Sequence, residues 1–237
     1  MNVNLPLQAS VMLDSIYGVA VGGGEVVMIC RACQTWIIPF VDKQARTLGC
    51  PDCGYLEQRQ LLPLFIVTGP SGVGKTTIVP ELQCLLPDWL VFETDILWDS
   101  HGDWNTIKCN WLHIANFLAQ SGRLTILCGT MQPMELESCP SRIFFSTIYW
   151  LALHCDPQLL ADRLRARPVW RGCDEDFIAR HQQYLQWFVD NATTAFEPPL
   201  TLLDTTNTPV VQTAQQIRDW AVDRWRQEQA VEGMPGI

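Results

Sequence analysis

From Leu61 onward, short apolar runs alternate with longer stretches in which apolar residues recur every three or four positions. The runs Leu64–Thr68, Trp89–Glu93, Leu124–Cys128, Ile143–His154 and Leu200–Leu203 read as strands, the fourth only in its later part. The periodic stretches Thr76–Leu85, Trp104–Gln120, Pro157–Arg167, Glu175–Asn191 and Val211–Gln229 read as amphipathic helices. Near-continuous apolar strands separated by helices predict an α/β fold with a five-stranded parallel sheet covered on both faces.

Ahead of this region the pattern changes, with a boundary near Glu57 to Pro63. Residues 1–25 are weakly patterned and read as a lead-in ending in a triple glycine, and residues 26–58 as a small β module. "TWIIPFV" reads there as one strand of a β-ribbon. The module holds two CxxC pairs, Cys30 with Cys33 and Cys50 with Cys53, separated by sixteen residues. Two such turns place four thiolates tetrahedrally, which suits Zn²⁺. Gly49, Pro51 and Gly54 supply turn chemistry around the second pair. The segment resembles a zinc ribbon. About 25 residues cannot bury a stable core without a metal, so the metal reads as structural, leaving the module free to dock a protein. Nucleic acid is the weaker partner, because Arg31, Lys43 and Arg46 are nearly balanced by Asp42 and Asp52.

Composition narrows the classes. Of 237 residues, 48% are hydrophobic and 17% charged, as expected of a folded globular chain. The net charge of −9 argues against broad binding to nucleic acid or anionic membranes. No apolar run reaches the roughly 18 residues needed to span a bilayer, and the first residues lack a basic signal-peptide start. The expectation is a soluble, cytoplasmic protein. Cys84, Cys109, Cys128, Cys139, Cys155 and Cys173 are scattered among apolar residues and read as buried thiols in a reducing compartment.

The most specific motif follows the first strand of the α/β region. In "GPSGVGKTT", Gly69, Gly74, Lys75 and Thr76 fit GxxxxGK(S/T) between a strand and a helix. The glycines let successive N–H groups turn onto one anion, and the helix start adds its positive end. Lys75 reaches the β- and γ-phosphates of a bound triphosphate, and the Thr76 hydroxyl serves Mg²⁺. Residues Gly69, Pro70, Ser71, Gly72, Val73, Gly74, Lys75, Thr76 and Thr77 form the expected nucleotide cradle.

Absences then discriminate among such proteins. No lysine sits in a guanine-reading NKxD element, and "LTILC" runs into Gly129-Thr130 rather than the acid of a motor ATPase. The loop is similar to that of guanylate kinases, whose GMP-binding segment does not follow. In "LVFETDILW", Asp95 lies two positions past a short second strand, with Glu93 alternating beside it. It reads as a group that orients an acceptor or Mg²⁺, or as a helix N-cap. Four of the thirteen arginines fall between Arg163 and Arg171, in "DPQLLADRLRARPVWRG". Phosphoryl transfer needs cations around the moving group, and a lid carrying Arg163, Arg167 and Arg171 would supply them. An exposed face with its arginines paired to Asp162 is the simpler alternative.

Through "GPSGVGKT", "FETDILW", "LTILCGT" and "CDPQLLADRLRAR", residues 61–229 resemble the P-loop small-molecule kinases of the nucleoside monophosphate, shikimate and gluconate kinase type. The resemblance implies strand order 2-3-1-4-5, ATP as donor, Mg²⁺, the arginine lid, and a base-binding loop at Asp204, Thr205 and Thr206. It places the acceptor between Asp95 and Asn105, among Trp98, Asp99, His101, Asp103 and Trp104, with "GTMQP" as a further contact. The chain therefore reads as a kinase acting on a nucleoside, nucleotide or hydroxylated metabolite. The rival reading is a nucleotide-dependent switch or ATPase whose ribbon engages a protein or nucleic acid.

Overall fold

The computed structural model describes residues 19–22, 25–98 and 103–232. Two small antiparallel sheets come first. β1 (Val19–Gly22), β2 (Glu25–Ile29) and β3 (Trp36–Ile37) form one. β4 (Phe40–Asp42), β5 (Thr47–Gly49) and β6 (Leu56–Gln58) form the other. The end of the expected lead-in is thus a strand, with Gly22 paired to Glu25. Residues 1–18 lie outside the described residues. "TWIIPFV" is not one strand. Pro39 separates β3 from β4, and the halves join different sheets, because proline carries no N–H for a ladder and restricts the residue before it.

The sheet that follows is fully parallel. β7 (Leu64–Thr68), β8 (Leu90–Glu93), β9 (Thr125–Cys128), β10 (Ile148–His154) and β11 (Thr201–Asp204) lie in the order β8-β9-β7-β10-β11. Counted from the first strand of this sheet, that is 2-3-1-4-5. Side chains alternate along each strand and so divide between two cores. Phe65 and Val67 join Ile126, Leu151 and Leu153 on one face. Leu64 and Ile66 join Leu127, Trp150 and Ala152 on the other. Helices α1 (Lys75–Leu85), α4 (Pro157–Arg165) and α6 (Val210–Glu232) bury residues in the first core. α2 (Trp104–Ala119) and the short α3 (Pro133–Glu137) face the second. α5 (Glu175–Asn191) is shared: Ile178 and Leu185 go to the first core, Phe188 to the second. α4 stops at Arg165 rather than Arg167, because Pro168 disfavours helical backbone just before it.

The β module packs on this domain through Val26 and Leu48, which bury Phe144 between them. The Arg59 guanidinium lies 5.7 Å from the same ring. The scattered cysteines are not uniformly buried thiols: Cys109 of α2 is disulfide-bonded to Cys139, 30 residues on. Cys84 is exposed and Cys173 half-buried, while Cys128 and Cys155 are buried. A crosslink that closes such a loop removes freedom from the unfolded chain. The Cys109→Ala/Cys139→Ala variant is therefore expected to lose about 3 kcal/mol in chemical denaturation relative to the oxidised protein.

Candidate functional site

The site begins where β7 ends. The Thr68 hydroxyl donates to the Met131 carbonyl (2.8 Å), tying the strand's last residue to the segment after β9. The chain then turns at Gly69, whose φ of 131° and approach to the Leu153 carbonyl leave no room for a side chain: a Cβ would sit 2.4 Å from that oxygen. Gly74 (φ 104°) caps α1, so the helix starts at Lys75 with its free N–H groups at the loop. Lys75 Nζ donates back across the loop to the carbonyls of Gly69 (2.7 Å) and Pro70 (2.8 Å). Burial pushes its pKa down to about 8, against the pull of Asp95 and with Arg167 adding to the depression.

The acids arrive from β8. Glu93 ends that strand and accepts the Thr76 hydroxyl. Asp95 lies in the following short 3-10 turn, Thr94–Leu97, and is exposed. Buried Thr94 fixes this turn: its carbonyl accepts the Trp111 indole N–H at 2.9 Å, and its side chain packs on Gly129 so closely that no Cβ fits there. The N-cap position of the turn is Glu93 rather than Asp95.

The arginines separate by role. Arg163 braces the loop, donating to the carbonyls of Gly72 (3.4 Å) and Thr205 (3.3 Å). Arg165 is held by Glu175 through two bonds of 2.8 Å. Arg167 and Arg171 line the cleft, with Arg171 lying 5.4 Å from the centre of the exposed Trp170 ring. Together with loop residues 71–77, Glu93, Asp95, Thr130, Arg163 and Thr205, they enclose a cleft of about 380 Å³.

Other residues chosen from the sequence sit differently. Thr205 is buried, with its hydroxyl 3.0 Å from the His154 carbonyl and 3.2 Å from the Val73 carbonyl, so it latches the loop to β10. The Asp204 carboxylate accepts the N–H (2.8 Å) and hydroxyl (2.5 Å) of Thr206, and those bonds lower its pKa. Asp103 caps α2, accepting from Asn105 N–H (2.8 Å) and Thr106 N–H (3.0 Å). Trp98 and Trp104 stack at 4.3 Å, both largely exposed. Asp99 and His101 lie outside the described residues. In "GTMQP", the Thr130 hydroxyl donates to the Gly69 carbonyl (2.9 Å), and Gln132 begins the capping box of α3. His181 escaped the sequence reading: its Nδ1 accepts the Ser71 N–H at 3.2 Å, and no local pattern marks it.

The four paired cysteines form a second centre. Their sulfur atoms all lie within 4.8 Å of one another, with Cys30 to Cys53 at 3.7 Å and Cys33 to Cys50 at 3.8 Å. Four Zn–S bonds of about 2.3 Å in a tetrahedron give sulfur separations of about 3.8 Å, so this donor set fits Zn²⁺. The two turns match: Gln34 N–H donates to the Cys30 carbonyl (2.9 Å), and Gly54 N–H to the Cys50 carbonyl (3.1 Å). The residue after each second cysteine is left-handed, with φ of 59° at Gln34 and 72° at Gly54.

No protein-family model matches the chain, and no curated protein matches it. Its structural neighbours are P-loop kinases. A sugar kinase from Janibacter sp. HTCC2649 superposes with a TM-score of 0.50 at 17% identity, over 68% of this chain and 94% of that one. A gluconokinase from Sinorhizobium meliloti 1021 has a TM-score of 0.47 at 18% identity, over 71% and 99%. A shikimate kinase from Acinetobacter baumannii, solved with shikimate, has 0.43 at 18%, over 70% and 96%. At 17% identity the likeness to the sugar kinase, with its TM-score of 0.50, speaks for the fold alone.

Proposed function

We propose that the chain is an ATP-dependent kinase that transfers the γ-phosphoryl group to a hydroxyl of a small acceptor: a nucleoside, a nucleotide or a hydroxylated metabolite. The observation that carries this reading is a cleft lined together by Lys75 and its loop, two acids, Glu93 and Asp95, and the arginines Arg167 and Arg171. Phosphoryl transfer requires little beyond positioning and charge stabilisation, and those parts are assembled here.

The residues fit a triphosphate with Mg²⁺. N–H donors, a lysine and arginines meet the phosphate oxygens, and the Thr76 hydroxyl with Glu93 offers hard oxygen ligands to the metal. A Mg²⁺ held by these oxygens would supply neutralisation of the phosphate charge. Lys75 exchanges its two loop carbonyls for phosphate oxygens. Asp95, free of the cap role, orients the acceptor hydroxyl and receives its proton. Arg167 and Arg171 stand on an exposed segment that closes over the moving group and excludes water. The four-cysteine centre acts as a structural Zn²⁺ site.

The deciding experiment incubates the protein with γ-labelled ATP and a panel of nucleosides, nucleotides, sugars and oligonucleotides. Label transferred to one class supports the reading and names the acceptor; hydrolysis without transfer sinks it. Asp95→Asn is expected to lower kcat by about 10²–10⁴-fold while KM for ATP stays within about threefold, measured by initial rates. One observation favours the rival switch reading: Trp36, Ile38, Phe40 and Leu56 expose apolar surface on the β module, as a protein-docking face would. No helix among the described residues is long and apolar enough to cross a membrane.

A further inference from the structure

The peptide joining Pro70 to Ser71 is held from both of its polar ends. Its carbonyl accepts Lys75 Nζ at 2.8 Å, and its N–H donates to His181 Nδ1 at 3.2 Å. Because the peptide is planar, with its C=O and N–H pointing in opposite directions, a group that fixes the N–H also fixes the carbonyl. His181 is well placed to do so. It is half-buried on α5, and its ring lies 4.2 Å from that of Phe177 one turn earlier. The next residue, Gln182, donates to the Pro157 carbonyl at 2.9 Å, so adjacent residues pin α5 both to α4 and to the loop. An imidazole accepts through Nδ1 only when that nitrogen carries no proton. Burial above all, and then the cations Lys75, Arg167 and Arg180, push its pKa down to about 4. The ring is therefore neutral at neutral pH, and the Ser71 N–H facing Nδ1 selects the tautomer that carries its proton on Nε2.

We propose that His181 is a positioning residue for the nucleotide: its Nδ1 fixes the Pro70–Ser71 peptide so that the Pro70 carbonyl stays turned away from the phosphates. This rests on the reading of the loop as a nucleotide site. In the nucleotide-free loop the lysine and the histidine share the task. Once Lys75 moves to phosphate oxygens, His181 alone restrains the peptide, and without it the plane is free to rotate and turn a carbonyl oxygen toward anionic phosphate. The same bond ties α5, which follows directly on the Arg167 to Arg171 segment, to the donor half of the cleft.

The test uses the full chain, titrated calorimetrically with the non-hydrolysable analogue AMP-PNP and Mg²⁺, beside steady-state kinetics with ATP. His181→Leu keeps an apolar side chain of similar bulk and removes the acceptor. It is expected to raise Kd for the analogue and KM for ATP roughly tenfold, the scale of one hydrogen bond, with kcat within about twofold. His181→Asn, whose Oδ1 sits where Nδ1 does, is expected to restore both constants to within about twofold of wild type. Wild-type affinity in His181→Leu overturns the proposal. So does His181→Asn binding as weakly as His181→Leu, because ring packing would then be the cause. A loss confined to kcat overturns it as well. If wild type binds the analogue but transfers no phosphate, the kinase reading fails while the titrations still decide the role of His181. If wild type binds no nucleotide, both fall.

Discussion

Replacing Lys75 by alanine is expected to lower phosphoryl transfer at least about 10³-fold and to leave the far-ultraviolet circular dichroism and the melting midpoint nearly unchanged. The two halves of this result have separate causes. Lys75 Nζ is a cation held at the loop's mouth, bonded only to the Gly69 and Pro70 carbonyls among the contacts described. On the proposed mechanism, its loss removes charge from the point where negative charge gathers during transfer. The loop itself has other supports: Thr205 and Arg163 hold its lower half, and Thr130 and His181 hold its start. Below it, β7 is buried along its whole length. Transfer at the wild-type rate in Lys75→Ala would refute the proposed mechanism, and a large fall in the melting midpoint would show that the side chain is structural.

The second large effect concerns the metal. One Zn²⁺ per chain is expected by elemental analysis, and Cys50→Ser or a strong chelator is expected to unfold the β module while the parallel-sheet domain stays folded. The module's own apolar core is small. Ile37 clusters with Cys30 and Cys50, flanked by half-buried Met28 and Cys33, and Val26 and Leu48 lean on Phe144 of the larger domain. Binding of a structural Zn²⁺ contributes on the order of 10 kcal/mol, more than that core can replace. Limited proteolysis reads the outcome: new cuts between residues 30 and 58 in the stripped protein, with the remainder protected. Identical digestion patterns with and without metal would rule out a structural role. Loss of nucleotide affinity on stripping would show that the module also supports the cleft.

Much of the architecture is legible in the chain because it depends on neighbours in sequence. The central strands β7, β9 and β10 are apolar on both faces, as a covered parallel sheet demands, and the positions of all five emerge within a few residues. The helix begun by Asp156 and Pro157 forms as expected, with Asp156 accepting from Gln158 and Leu159 N–H groups. The order of the strands came from the resemblance rather than from the pattern, and the structure has it. What misled was also local. A single run of β-formers around Pro39 hid a break between two sheets, and the glycine-rich lead-in hid the antiparallel pairing of β1 with β2.

At the site, the line between the two kinds of information is sharp. Gly69, Gly74, Lys75 and Thr76, and the four paired cysteines, could be named from spacing alone. Their function depends on backbone turns a few residues long, and local sterics encode such turns directly. Which arginine braces and which lines the cleft, and that Thr205 latches the loop, depend on side chains meeting across strands and helices. The disulfide between Cys109 and Cys139 spans 30 residues, and the bond from Ser71 to His181 spans 110. A histidine in the middle of an amphipathic helix carries no signature of what it will touch. Only the crossing of α5 over the phosphate loop, set by how the two cores pack on opposite faces of the sheet, decides that.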